Sequence, residues 1–171
     1  KNVTVSFNSI TSSAGGVTAG TDNGIQFPAF SNSPTGTFTQ NVNSNTLSIQ
    51  SGLASGGING INIGGTSSSA TSIINVNSNT FTTTFGHTVA GSGTITFLSQ
   101  GGGHFTQSVT GNIFNTATVN TTGSVTFLSC SNSVAAGGTK NVTGHTVNGF
   151  SKTGAGGTIT FYTDSGSTPV S

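Results

Sequence analysis

Apolar and polar residues alternate over many short stretches of the chain, and one five-residue pattern occurs three times. Gly93–Phe97, Gly123–Phe127 and Gly157–Phe161 each read glycine, hydroxyl residue, branched aliphatic residue, threonine and phenylalanine. Alternation places every second side chain on the same face, which is typical of a β-strand with one buried and one solvated face. Branched aliphatic and aromatic side chains pack well on such a pleated surface. The pattern therefore predicts three equivalent strands in an all-β protein.

The N-terminus is predicted to form a further strand. Within residues 1–10, Val3, Val5 and Phe7 share one face, and a flexible Ser- and Gly-containing stretch follows. Such a strand either pairs within its own sheet or reaches into a neighbouring copy and supplies a missing strand there. We accordingly divide the chain into an N-terminal donor strand, residues 1–12, and a head domain, residues 13–171.

Two identical blocks guide the prediction of the fold. Residues 41–46 and 75–80 both read Asn-Val-Asn-Ser-Asn-Thr. Because Asn and Ser favour turns, each block is interpreted as the tip of a β-hairpin. The strand pattern recurs at other spacings, so the repeat is not interpreted as a solenoid period. About ten to twelve short strands without helical periodicity predict a β-sandwich, immunoglobulin-like or pilin-like with Greek-key topology, carrying an extended N-terminal strand.

The scarcity of charge excludes some classes of protein. Only 3% of the 171 residues are charged, comprising three lysines and two aspartates, whereas about 25% is usual. A nucleic-acid interface needs clustered Lys and Arg, so this class is excluded. No apolar run approaches the roughly 18 residues of a membrane-spanning helix. Since acid unfolding mostly protonates paired carboxylates, and few exist here, the sequence also predicts an acid-stable protein.

No residue set predicts catalysis or metal binding. His87, His104 and His145 lack the short spacings of metal ligands. Asp22 and Asp164 lie in no recognisable nucleophile motif. The sequence therefore predicts no catalytic, cofactor-binding or metal-binding residue, and a protein that is not an enzyme.

Pairs of threonines two positions apart resemble the ice-binding faces of regular solenoids. They occur in residues 82–84, 94–96, 116–118 and 158–160. An ice-binding face needs such pairs to stack at a constant period, and these spacings are unequal. The pairs are therefore interpreted as the solvated faces of ordinary strands.

The remaining features favour an extracellular location. Cys130 is the single cysteine, so it forms no intrachain disulfide and is expected to be a small buried side chain. Asn2, Asn120 and Asn141 each begin an Asn-x-Thr acceptor sequence for N-linked glycans. Glycans at these positions would supply the solubility that charge usually provides.

The composition of the whole chain, together with KNVTVSFNSI followed by TSSAGG, resembles the secreted filament subunits of archaeal surface threads. That family is similar in fold to bacterial type-1-like pilins. The resemblance implies head-to-tail assembly in which the N-terminal strand of one subunit completes the sandwich of the next. Val3, Val5 and Phe7 would then fill the neighbour's groove, and N-linked glycans would cover the outside.

The predicted function is therefore that of a structural subunit of an extracellular filament, a pilus or thread on the cell surface that serves adhesion or biofilm formation. Its partners would be copies of itself and its N-linked glycans. The alternative is a monomeric β-sandwich, either an adhesin or carbohydrate-binding module or a viral coat protein, with the N-terminal strand in its own sheet.

Overall fold

The computed structural model contains β-strands and no helices in the residues that it describes, namely 2–15, 20–28, 37–65, 71–115, 118–134, 137–164 and 166. Every pairing between these strands is parallel. Parallel neighbours cannot be joined by a tight hairpin, so the chain must travel around the molecule between paired strands.

We call each circuit of the chain a coil and number the strands in chain order. The first coil comprises β1 (Asn2–Ser6), β2 (Ser9–Ala14) and β3 (Thr21–Phe27). The second comprises β4 (Phe38–Asn43), β5 (Thr46–Ser51) and β6 (Gly57–Ile63). The third comprises β7 (Ser72–Asn77), β8 (Thr80–Phe81), β9 (Gly86–His87) and β10 (Ile95–Gln100). The fourth comprises β11 (Thr106–Thr110), β12 (Ile113–Asn115), β13 (Thr118–Val119) and β14 (Val125–Ser129). The fifth comprises β15 (Thr139–Thr143), β16 (Thr146–Asn148), β17 (Ser151–Lys152) and β18 (Ile159–Thr163).

Equivalent strands of successive coils stack into three long parallel sheets. Sheet A has the order β1-β4-β7-β11-β15, sheet B the order β2-β5-β8-β12-β16, and sheet C the order β3-β6-β10-β14-β18. In addition β9 pairs with β5, and β13 pairs with β17. The protein is a β-solenoid whose chain makes about four turns between its first coil and its fifth.

The predicted β-sandwich is therefore wrong, although the all-β class is confirmed. An alternating sequence specifies a strand with one buried face, but it does not specify which strand lies beside it. The three copies of the five-residue pattern are equivalent, as expected, and they are neighbours: Ile95 pairs with Val125, which pairs with Ile159. These partners lie a full coil apart in the sequence.

The two Asn-Val-Asn-Ser-Asn-Thr blocks are also not hairpin tips. Asn41 pairs in parallel with Asn75, so the blocks lie one above the other at the corner between sheets A and B. Ser44 and Ser78 occupy the left-handed region at this corner, each with a φ of 57°, a conformation that lets the chain change direction sharply. The separation of the blocks is the length of one coil.

The core is a set of columns in which similar side chains stack from coil to coil. One column consists of valines and a second consists of stacked phenylalanine rings. The valines in register are Val5, Val42, Val76, Val109 and Val142. Ring centroids are 4.9 Å apart for Phe97 and Phe127 and 5.1 Å apart for Phe127 and Phe161. Burial of these side chains supplies the main driving force for folding.

The N-terminal segment pairs within its own chain in this structure. β1 pairs with β4, and β2 pairs with β5 over Ser9–Ala14, so the predicted boundary between residues 12 and 13 lies inside β2. No helix in the described residues is long and apolar enough to cross a membrane.

Candidate functional site: the two open ends of the solenoid

A column of polar side chains runs along the corner between sheets A and B, and we call it the corner ladder. In each coil the backbone N–H donates to the side chain of the equivalent residue in the next coil. The distances along the column are 3.0, 3.0, 2.9 and 3.3 Å. Its members are Asn8, Asn45, Asn79, Asn112 and His145, separated by 37, 34, 33 and 33 positions.

From Asn45 onward, each ladder side chain also bonds to the preceding coil. The amide groups of Asn45, Asn79 and Asn112 donate to the carbonyl oxygens of Val5, Val42 and Val76, at 2.9, 2.8 and 2.8 Å. These three asparagines are almost fully buried. Because each backbone N–H donates to the side chain of the next coil and not to that of the preceding coil, the ladder has a direction along the solenoid axis.

His145 takes the place of an asparagine in the last rung. Its Nδ1 accepts the backbone N–H of Asn112 at 3.3 Å, and its Nε2 lies 3.1 Å from the carbonyl oxygen of Val109. This pattern requires the neutral ring with the proton on Nε2, since Nδ1 is the acceptor. Burial is the largest influence and lowers the pKa of His145, and the Val109 carbonyl beside Nε2 opposes this effect.

The C-terminal end of the solenoid has exposed apolar side chains, and its last strands have no further strand beside them among the described residues. β15, β16 and β18 form the last rows of their sheets. Phe161 is 59% exposed, and Ile159 and Tyr162 are also exposed. A concavity of about 330 Å³ lies at this end, with Phe114, Phe127, Val147 and Phe161 among its lining residues.

At the N-terminal end, β1, β2 and β3 form the first rows of the three sheets, with no strand beyond them in the described part of the chain. The residues predicted as a donor strand lie here: Val3 is exposed, Val5 packs on the core and Phe7 is 84% exposed. Phe7 adopts the left-handed region with a φ of 59°, which is uncommon for a bulky side chain. The structure thus brings all three residues to one end of the molecule.

The two ends of the corner ladder are complementary. At the C-terminal end, the backbone N–H of His145 has no hydrogen-bond partner among the described residues, and the carbonyl of Val142 belongs to β15, which has a described neighbouring strand on one side only. At the N-terminal end, Oδ1 of Asn8 has no partner in the described part of the chain, and its Nδ2 bonds to Asn45 and to Ser6 of its own coil. The next rung would need what Asn8 offers, an acceptor for His145 N–H and a donor to Val142.

The predicted glycan acceptors occupy different environments. Asn2 and Asn141 are exposed, on the two outermost strands of sheet A. Asn120 is half-buried, and its Oδ1 accepts the hydroxyl of Thr153 at 3.2 Å. The first two positions are accessible to a modifying enzyme, whereas the third is partly enclosed.

The titratable residues of the described ranges lie in separate parts of the molecule. His87 and His104 are buried in separate places, and burial lowers the pKa of both, to about 4 for His104. Lys140 forms an ion pair of 2.7 Å with Asp164. No group of three or more His, Cys, Asp or Glu side chains able to hold a metal ion exists within the described ranges.

Three strands of sheet C carry a hydroxyl array on their solvated face. Thr96, Thr126 and Thr160 lie in register on β10, β14 and β18. Beside this column, the hydroxyl of Thr158 donates to that of Ser124 at 3.2 Å. The pairs at 94–96 and 158–160 therefore stack at the coil period, with the Ser-x-Thr pair at 124–126 between them, so the interpretation of unequal spacing is wrong for these two pairs. The pair at 116–118 includes Thr116, which lies outside the described residues.

The corner ladder was missed by sequence reasoning because its members are a coil apart. Its signal was present: segments 41–47, 75–81, 108–114 and 141–147 all place a valine three positions before the ladder residue. Comparisons with protein-family models, with characterised proteins and with solved structures found no match. The geometry of the two ends of the solenoid is therefore the guide to what they bind.

Proposed function

We propose that the protein is a structural subunit of an extracellular filament in which copies stack head to tail. The observation that carries the proposal is the complementarity of the two ends of the corner ladder. If the first coil of one copy covers the fifth coil of another, His145 N–H donates to Asn8 Oδ1 of the next copy. The amide of the same Asn8 then donates to the Val142 carbonyl, as every internal rung does.

The sheet edges support the same geometry. Unpaired edges are templates for pairing with another chain, and β1, β2 and β3 would extend the sheets that end in β15, β16 and β18. The valine column would continue, since Val5 of the next copy lies in the column of Val142. Joining two different ends of the molecule gives a contact that does not close, and such contacts propagate as filaments.

The N-terminal strand keeps a joining role in this proposal, but the manner of joining differs from that expected for a pilin. A sandwich that lacks one strand has a groove for an inserted strand, and a solenoid does not. Here β1 pairs edge to edge with β15, and Val3, Val5 and Phe7 lie at the joint. Burial of Phe161 and Tyr162 by the next copy would favour association, at about 25 cal/mol per Å² of apolar surface.

The outer surface suits an extracellular assembly. The chain is almost free of charge, so long-range repulsion between stacked copies is weak. Asn2 and Asn141 point away from the core on sheet A, so that N-linked glycans there would coat the filament without entering the pairing edges. Adhesion or biofilm formation is the role that we propose for such a filament.

A charge placed in the joint tests the proposal. We expect the wild-type chain to form filaments that electron microscopy and sedimentation detect, and Phe161→Lys to stay monomeric. Thr163→Lys is the matched control, since Thr163 is exposed on the same strand and lies in register with the outward-facing Ser129. Because Phe161→Lys retains an intact N-terminal end, it should also cap wild-type filaments when mixed in at low ratio.

Circular dichroism should show that both variants are folded. A wild-type chain that remains monomeric at high concentration would overturn the proposal, and so would normal filaments from the folded Phe161→Lys variant.

A second candidate function, binding to an ice surface, is favoured by the hydroxyl array of sheet C. Adjacent parallel strands hold equivalent hydroxyls about 4.8 Å apart, and the strand scaffold fixes their positions. A regular array of fixed hydroxyl and methyl groups favours ordered water. We expect wild-type protein to arrest the growth of ice crystals and Thr126→Lys to lose this effect, whereas Thr143→Lys on sheet A retains it. Absence of any effect in the wild type would exclude this function.

A further inference from the structure

The last rung of the corner ladder is the one that titrates. Four rungs are asparagines, whose amide groups keep the same donors and acceptors at every pH relevant to proteins. The fifth, His145, accepts through Nδ1 and donates through Nε2 in its neutral form. This rung lies at the C-terminal end, where the proposed joint forms.

Protonation of His145 reverses one of these bonds. In the imidazolium both ring nitrogens carry protons, so Nδ1–H would point at the backbone N–H of Asn112, which is itself a donor. The ring must then leave its place above Asn112. When the ring leaves, the corner moves, and the backbone N–H of His145 moves with it. This N–H is the donor that Asn8 of the next copy is proposed to accept.

Little in the surroundings compensates for a charge on this ring. Phe114 lies beside it with the ring centroids 6.2 Å apart. The same end concavity is lined by Phe127, Phe161 and Tyr162. Tyr162 is the one titratable neighbour among these, and its hydroxyl donates to Asp164, which pairs with Lys140. Among the described residues no carboxylate contributes to the electrostatics of His145, on which burial has the largest effect.

We propose that His145 makes head-to-tail growth of the filament depend on pH, so that copies add when the ring is neutral and separate when it is protonated. This inference rests on the proposed function, because it concerns the same joint. Filament length is therefore regulated by pH: acidification shortens filaments, and neutralisation lets them grow.

The direction in which pH changes assembly follows from the linkage between proton binding and assembly. Burial already lowers the pKa of His145 in the free copy below its ordinary value of 6.5, and coverage by the next copy removes more water from the ring. The assembled form therefore binds the proton less well than the free form does. Assembly is fully favoured above the pKa of the free copy and weakens as pH falls through it. One proton per joint changes the association constant by at most about tenfold per pH unit.

The other two histidines lie away from this joint and provide no alternative route to it. His104 bonds to Gln40 at 2.7 Å inside the solenoid, and His87 belongs to β9 in the third coil. Both affect the stability of the folded chain rather than the exposed ladder end.

The variant His145→Asn supplies the test, since it restores the side chain that the other rungs carry. The critical concentration for polymerisation is measured for wild type and His145→Asn between pH 7.5 and pH 5, with near-ultraviolet circular dichroism to confirm that the subunits stay folded. We expect the wild-type critical concentration to rise on acidification, by up to about tenfold per pH unit below the pKa of His145, and that of His145→Asn to stay constant.

Two outcomes separate this inference from the proposal on which it rests. Filaments of both proteins with the same pH response would overturn the role of His145 and leave head-to-tail stacking intact. No filaments from either protein at any pH would overturn both. Nitrogen NMR of the neutral ring gives an independent readout: the proton should reside on Nε2, and a proton on Nδ1 would contradict the geometry.

Discussion

The backbone N–H of Asn45 donates to Oδ1 of Asn79 at 3.0 Å, although the two residues are 34 positions apart. The side-chain amide of Asn45 donates to the same oxygen, also at 3.0 Å. Both residues are almost fully inaccessible to solvent. One buried oxygen therefore satisfies two donors of the neighbouring coil, and the corner ladder fixes the register in which coils stack.

Removal of a ladder side chain should be costly. In Asn79→Ala the buried N–H of Asn45 loses its acceptor, and the bonds of the Asn79 amide to Val42 and Asn112 are lost. We expect the free energy of unfolding to fall by about 3 kcal/mol, since each unsatisfied buried group costs roughly 1–3 kcal/mol. Urea unfolding measures this change.

The control is Asn148→Ala, which removes an exposed amide that donates to Asn115 at 2.8 Å. That change should cost less than about 0.5 kcal/mol. If both variants lost the same free energy of unfolding, the buried ladder would contribute no more to stability than an exposed hydrogen bond does.

Gly60 should tolerate no side chain. A Cβ there would lie 2.4 Å from the Phe81 ring and 2.5 Å from the Phe97 carbonyl oxygen. Because Phe81 is fully buried, neither group can yield easily, and Gly60→Ala should lose about 1–3 kcal/mol of stability through overpacking. Gly57→Ala is the matched control on the same strand, with its nearest contacts at 3.5 Å. A thermal scan that finds equal melting temperatures for the two variants would contradict this packing.

Stability should fall as the solution becomes acidic. Burial lowers the pKa of His87, His104 and His145 from 6.5, to about 4 in the case of His104. For a base with a lowered folded pKa, the unfolded chain binds the proton more readily, so stability is complete above pH 6.5 and declines toward pH 4. His104 alone accounts for about 3 kcal/mol over this range.

The sequence-based expectation of acid stability considered carboxylates and not buried imidazoles, so the structure changes what we expect. His104→Gln keeps an amide donor for Gln40 and removes the titrating ring. Its unfolding free energy should change less between pH 7 and pH 4.5 than that of the wild type. An identical slope for both proteins would show that the pKa of His104 does not differ between the folded and the unfolded chain.

Cys130 should be chemically inert in the folded protein. Its side chain is fully buried, and burial raises its pKa to about 12. Thiol reagents attack the thiolate, so alkylation at pH 8 should label the chain only after addition of denaturant. Rapid labelling of the native protein, measured by mass spectrometry, would place Cys130 at the surface.

Local features of this fold could be predicted from the sequence, and long-range pairing could not. The alternation in Gly93–Phe97 and its two copies correctly indicated strands and their equivalence. Asn-Ser-Asn at residues 43–45 was interpreted as a hairpin tip; the chain does change direction there, but at a corner between two parallel sheets. Both signals are satisfied equally by a hairpin in a sandwich and by a corner in a solenoid, because each depends on residues close in sequence.

The two folds are distinguished by residues that recur one coil apart in the sequence and stack in columns in the structure. Val42 and Val76 are recognisable as equivalents within identical blocks, but Val5, Val109 and Val142 lie in segments that retain little else in common with them. The ladder position is harder still to recognise in the sequence, since His145 replaces asparagine at the rung where the proposed joint begins. Unequal coils of 37, 34, 33 and 33 residues also hide the period.

The repeat distance along the filament tests the central claim most directly. If copies stack head to tail with their sheets continuous, each subunit adds five coils, and the helical rise should be about 24 Å per subunit at roughly 4.8 Å per coil. Electron cryomicroscopy of wild-type filaments measures this rise and the direction of the strands. We expect strands perpendicular to the filament axis and a rise near this value. Filaments whose strands run along the axis, or a chain that stays monomeric at high concentration, would contradict the account.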